Sequence, residues 1–206
     1  MNVKLLRGLT AFFGWLWIVG VGILLLQNGI KLANGSFGEA VYEASSTNVL
    51  VQPFEGGYWD LNYGQVRVAG APLLAGFQML LKIAFLLLLA RIFFQLRDLV
   101  GRIGEGRMFE EENVASLRRI GVALGAICAL SIAGAIIVQQ WFLALIGPAE
   151  GKVLHPSLSW NLDGVNNIWM EYSPPFGAFI LALLAFIAAD AFKRGMEYRV
   201  DSEGVL

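Results

Sequence analysis

The chain has 206 residues, 57% of them hydrophobic and 15% charged, with a net charge of −1 and a mean hydropathy of +0.63. A soluble domain carries roughly 25% charged residues, and here the apolar residues are blocked rather than dispersed, which excludes an ordinary soluble globular domain. The small net charge identifies no class of partner, and the single cysteine, Cys128, excludes a disulfide within the chain.

Four segments, about 9–32, 71–96, 120–146 and 176–193, are long and apolar enough to cross a bilayer. The hydrocarbon layer is about 30 Å thick and a helix rises about 1.5 Å per residue, so roughly 20 apolar residues suffice. Backbone amides in lipid must pair within their own segment, which predicts four helices. Lysine and arginine are retained on the cytoplasmic side. The two termini and the segment between the second and third spans, counted with Arg91 and Lys193 at the adjoining span edges, hold eleven of them. The other two connections hold three: Lys31, Arg67 and Lys152. Both termini, the loop 97–119 and the tail 194–206 are therefore expected in the cytoplasm, and loops 33–70 and 147–175 outside.

The first span begins after Lys4 and Arg7, as a signal peptide would. Its apolar core is too long for that and no clear small-x-small cleavage site follows, which predicts an uncleaved anchor. Phe12, Phe13, Trp15 and Trp17 cluster toward its cytoplasmic end, where a tryptophan ring is buried while its N–H stays wet.

Loop 33–70 contains STNVLVQPF and GYWDLNYGQVRVAG. Val49, Val51, Val66 and Val68 alternate with other residues, which predicts strands, with Gly56 and Gly57 supplying a turn. Loop 147–175 holds a second candidate pair around KVLHPSLSWNL and NNIWMEYS. Trp59-Asp60-Leu61-Asn62 and Trp160-Asn161-Leu162-Asp163 are loosely alike, too briefly to establish a duplication. The fold expected is an all-α transmembrane four-helix bundle, a single membrane domain, with a small β-containing extracytoplasmic cap built from both outer loops.

The second span carries Lys82 near mid-depth, where a charge is costly and often functional. Gln78, Gln139, Gln140 and Asp190 supply further intramembrane polar atoms, and Lys82 and Gln139 fall at similar depths. A polar path for an ion or substrate is one reading. A lysine that snorkels or is satisfied within the bundle is the blander one, and the commoner. Arg91 and Asp190 are candidates for a structural pair near the inner face. In the third span Gly121, Gly125, Ala129 and Ala133 recur every four residues. Small residues on one face let a neighbouring helix approach, within the monomer or between copies.

Between the second and third spans stands GEGRMFEEENVASLRRIG, residues 104–121. Glu110, Glu111 and Glu112 fall in the first turn of a predicted helix, at the positive end of its dipole. Leu117 and Ile120 carry an apolar face into the third span, and Arg118 and Arg119 sit at the membrane surface. This pattern resembles the signature of a bacterial family of small four-pass membrane proteins, domain of unknown function 2975. The matching positions are Gly106, Phe109, Glu112, Asn113, Leu117, Arg118, Ile120 and Gly121. The tail AFKRGMEYRVDSEGVL is similar to that family's end, at Phe192, Lys193, Gly195, Asp201 and Glu203. The resemblance implies a bacterial inner-membrane location. It also implies a genomic context in which such genes often lie beside a small helix-turn-helix regulator. No catalytic residue carries over with it.

No phosphate-binding glycine loop, HExxH helix or GxSxG elbow occurs. His155, the sole histidine, has no histidine or cysteine partner with metal-ligand spacing. No enzyme activity, cofactor, metal site or direct nucleic-acid binding is expected. The reading that follows is a regulatory or accessory membrane protein embedded in the lipid bilayer. It would bind a protein partner through Phe109, Glu112, Asn113, Leu117, Arg118, Arg119, Lys193, Gly195, Asp201 and Glu203. The alternatives are a small transporter or channel component using the Lys82 region, and a structural subunit of a larger membrane complex.

Overall fold

A computed structural model describes residues 3–43, 50–54, 56–62, 65–146, 157–162, 165–171 and 175–203. Four long helices dominate: α1 (Val3–Ala33), α2 (Pro72–Gly104), α3 (Glu111–Ile146) and α4 (Phe176–Glu203). All four are long and apolar enough to cross a membrane. This is a multi-pass membrane protein.

The helix ends follow from local chemistry. At the end of α1, Ser36 N–H donates to the Lys31 carbonyl and Gly35 N–H to the Leu32 carbonyl. Gly35 has φ +70°, the left-handed position that closes such a cap. The end of α2 repeats the arrangement. Arg107 N–H reaches the Arg102 carbonyl and Gly106 N–H the Ile103 carbonyl, with Gly106 at φ +81°. Pro72 opens α2 as its first residue, where its missing N–H removes no helical bond. Glu110 precedes α3, with its carbonyl accepting from Asn113 N–H at 3.0 Å. Expected in the first turn, Glu110 is thus the cap, while Glu111 and Glu112 occupy the turn itself.

Among the described residues the strands are β1 (Ala40–Glu43), β2 (Leu50–Phe54), β3 (Gly57–Asn62), β4 (Gln65–Ala69), β5 (Ser157–Leu162) and β6 (Val165–Glu171). The first four form an antiparallel sheet in the order β1-β4-β3-β2, and β5 pairs with β6. Trp59 stands opposite Val68, and Trp160 opposite Ile168. The sequence-predicted Gly56–Gly57 turn is half turn and half strand: Gly56, at φ +92°, makes the bend and Gly57 begins β3. Val49, Lys152, His155 and Asp163 lie outside the described residues.

The chain divides into two compact units, with α1, α2 and α3 contributing to both. One unit comprises residues 24–82 and 130–174 and holds both sheets. In it β1 lies against β6, Phe77 packs on Trp141 with ring centroids 6.1 Å apart, and Leu81 lies on Gly134. Arg67 pairs with Glu39 at 2.8 Å, and that carboxylate raises the guanidinium further above its ordinary value.

The other unit comprises residues 1–23, 83–129 and 175–206. Its core is Ile92, Ile120, Ala123 and Ile127, with Leu88, Leu89, Leu96, Leu124, Ala178 and Ala185 around them. Glycines set the close approaches between helices. A Cβ at Gly14 of α1 would lie 2.8 Å from the Phe94 ring of α2, and one at Gly121 of α3 would lie 3.0 Å from the Phe186 ring of α4. Cys128 Sγ donates to the Pro175 carbonyl at 3.7 Å. The start of α4 therefore stands about half-way along the 36-residue α3.

Candidate functional site

The site is assembled at the α2–α3 corner, within the unit just described. Its organiser is Asn113, which is 0% exposed. The Asn113 amide nitrogen donates to the Arg107 carbonyl at 2.6 Å and to the Met108 carbonyl at 2.8 Å. Its amide oxygen accepts from Arg102 Nε at 2.7 Å. Arg102 Nη2 also donates to Ser116 Oγ and, at 3.4 Å, to the Glu112 backbone carbonyl. The Glu112 carboxylate stands 3.8 Å from Arg102 Nη1, and the Arg102 side chain is only 15% exposed. A largely buried guanidinium is tolerated because it is hydrogen-bonded on several sides. Arg102 on α2 is thereby tied to α3, and Asn113 on α3 is tied to the loop.

The loop so held presents Phe109 to α4. The Phe109 and Phe192 rings are 5.9 Å apart, centroid to centroid. Gly195 lies beneath the Phe109 ring: a Cβ there would come within 2.6 Å of Phe109 Cε1. Phe109 nevertheless keeps 39% of its surface exposed and Met108 keeps 42%. α1 meets the same end of α2, where Arg7 lies over Gly101 and Val3 over Gly104. Arg107 bonds Glu105 at 2.8 Å and approaches Glu110 at 3.5 Å, and these carboxylates raise its guanidinium further above its ordinary value.

The candidate residues named from sequence therefore divide. Phe109, Glu112, Asn113 and Gly195 come together at this corner, though Asn113 is fully buried and cannot touch a partner. Leu117 is half-buried, and Arg118 and Arg119 are exposed on α3. Lys193 is exposed and pairs with Glu197 at 3.7 Å. Asp201 and Glu203 lie in the last turns of α4. Sequence reasoning missed Arg102 and Ser116 as the partners of Asn113. The only signal was their helical phase, with Asn113 and Ser116 three residues apart on one face.

The intramembrane candidates do not form one buried cluster. Lys82 and Gln140 are exposed, while Gln139 is buried. Asp190 pairs with Arg194 at 3.6 Å rather than with Arg91, because one helical turn separates the former two on α4. The four-residue repeat on α3 is also divided. Gly121 is covered by Phe186, nothing lies within 4 Å of a Cβ at Gly125, and Ala129 and Ala133 are exposed. Among the described residues no three histidine, cysteine, aspartate or glutamate side chains gather where they could hold a metal.

A family model described as protein of unknown function (DUF2975) matches residues 42–205. The chain belongs to this family. No curated protein and no solved structure matches it. The matched stretch of the DUF2975 chain runs from β1 through α4, so it includes every residue of the corner except those contributed by α1.

Proposed function

We propose that this DUF2975 protein is a non-enzymatic regulatory or accessory component of a bacterial inner membrane. It binds a cytoplasmic protein through the α2–α3 corner and the adjoining end of α4. The observation that carries the proposal is the Phe109–Phe192–Gly195 joint, where the two motifs of the family resemblance, far apart in sequence, make one surface. Large aromatic side chains with part of their surface open are common anchors at interfaces. The eleven-to-three distribution of lysine and arginine supports a cytoplasmic location for this corner and for both termini. It supports an extracytoplasmic location for both sheets, as a small cap. The neighbouring-gene context implied by the family resemblance makes a helix-turn-helix regulator the partner class of first choice. Nucleic acid would then be met by the partner, not by this chain.

Affinity purification in mild detergent, with mass spectrometry of the co-purifying proteins, tests this reading. Phe109→Ala combined with deletion of residues 201–206 is expected to leave insertion intact and to lose a cytoplasmic partner. Recovery of every partner from that variant rejects the surface.

A further inference from the structure

The corner has a charge pattern that specifies what kind of surface it fits. Arg107 N–H bonds back to the Arg102 carbonyl, so the loop folds over the last turn of α2. There Ile103, Met108 and Phe109 are 36%, 42% and 39% exposed. Within residues 103–112 stand Glu105, Glu110, Glu111 and Glu112, with Arg107 the one cation of that stretch. Consecutive Cα atoms are about 3.8 Å apart, so Glu112 lies within ~11 Å of Phe109. Arg107 is shared between Glu105 and Glu110. Arg102 is occupied by Asn113 and Ser116, and Glu112 remains 70% exposed beside it. Glu111 is exposed and forms no ion pair among the described residues. The tip of the corner is thus an apolar patch with an acidic rim.

The bland fate of such a patch is insertion among lipid headgroups. The rim opposes it. Arg118 and Arg119 lie seven residues beyond Glu111 and Glu112, about 10 Å along the helix. Those arginines suit an anionic membrane surface, which repels carboxylates as it attracts cations. The acidic tip is held about a Debye length away from that surface, on the solvent side.

We infer that the α2–α3 tip is a docking site for a cationic amphipathic helix of a soluble partner. Apolar side chains of that helix would cover Met108 and Phe109, and its lysines or arginines would face Glu111 and Glu112. Apolar anchors on one helix face with charge around them are a recurrent mode of helix recognition. The opposite charges set orientation and encounter rate more than affinity. This rests on the proposed partner-binding role of the same corner.

The test uses the full chain in phosphatidylcholine nanodiscs. The probe is a dye-labelled leucine–lysine amphipathic helical peptide, with its leucine–glutamate counterpart and empty nanodiscs as controls. Fluorescence anisotropy is expected to show the lysine peptide binding the protein more tightly than either control, and less tightly as salt rises. Met108→Ser and Glu111→Lys, both at exposed positions, should each weaken it about five- to tenfold. Equal binding of the two peptides, unchanged affinity in both variants, or no excess over empty nanodiscs overturns the inference. If those peptide results fail while Phe109→Ala with the tail deletion still loses a cellular partner, the corner binds a surface of different chemistry. If that variant keeps every partner, the partner-binding reading itself has failed.

Discussion

Asn113, itself fully buried, offers one acceptor to Arg102 and two donors to the loop carbonyls. Aspartate keeps the acceptor and loses both donors, whereas alanine loses everything. Asn113→Ala should therefore destabilise the protein by about 2–3 kcal/mol, because unsatisfied buried polar groups remain on both sides. Asn113→Asp should rescue little of it, since two carbonyls would face a carboxylate. Thermal unfolding in detergent reads both, and a wild-type midpoint for Asn113→Ala would show that the clasp is dispensable. Gly195 makes a second prediction at this scale. A Cβ there collides with Phe109, so Gly195→Ala should cost about 1–3 kcal/mol, the usual range for overpacking. In a Phe109→Ala background that cost should vanish, and a cost that persists would mean the ring is not what Gly195 accommodates. Trp17 behaves differently from the sequence expectation of a wet indole. Its Nε1 is buried without a hydrogen-bond partner. Trp17→Phe, which removes that orphaned donor, should leave the midpoint unchanged or raise it.

At the scale of elements, the polar residues on α2 and α4 sort by whether a partner lies on their own helix. Asp190 is matched with Arg194 and Lys193 with Glu197, each one turn away. Such exposed pairs contribute little to stability, about 0.3–0.5 kcal/mol. Lys82 is exposed on α2, whereas Gln139 on α3 is buried. Its long stem lets the ammonium reach toward the nearer interface. Lys82→Met should therefore insert normally and be as stable as wild type or more so, since it takes a charge out of an apolar span. Loss of a cellular phenotype from that variant, with insertion unchanged, would instead revive the transport alternative.

For the whole molecule, the orientation is what the proposed function depends on. In a Cys128→Ala background, Asn34→Cys and Glu111→Cys place single thiols at exposed positions, one just past the end of α1 and one at the start of α3. A membrane-impermeant maleimide should label the first in intact cells and the second only after permeabilisation. Ready labelling of Glu111→Cys in intact cells would put the corner outside and end the cytoplasmic-partner reading. Cytoplasmic ends on α1, α2 and α3 would then also have to be reassigned, because Arg7, Arg102 and Arg107 belong to the same unit.

Hydropathy and charge were sufficient to place four spans, because helix rise and bilayer thickness act on one segment at a time. The glycine caps at Gly35 and Gly106 are local in the same sense: a positive φ at the end of a helix needs only the residue itself. Strand alternation around Val66 and Val68, and the second pair around Trp160, were legible for that reason too. The acidic run before α3 could be read as a helix start, but not the burial of Asn113 beside it. Spacing gives a side chain's phase on its own helix and leaves open which neighbouring helix meets that face. Sequence alone likewise left open whether Phe109 anchors a partner or tucks against the bundle, and named no residue for it to meet. Only the tertiary structure brought Gly195 beneath it, because that contact depends on the register between α3 and α4. That register is set by packing: Cys128 on Pro175, Gly121 under Phe186, and Gly195 under Phe109. It is the sum of contacts between helices remote in sequence, and no single segment encodes it.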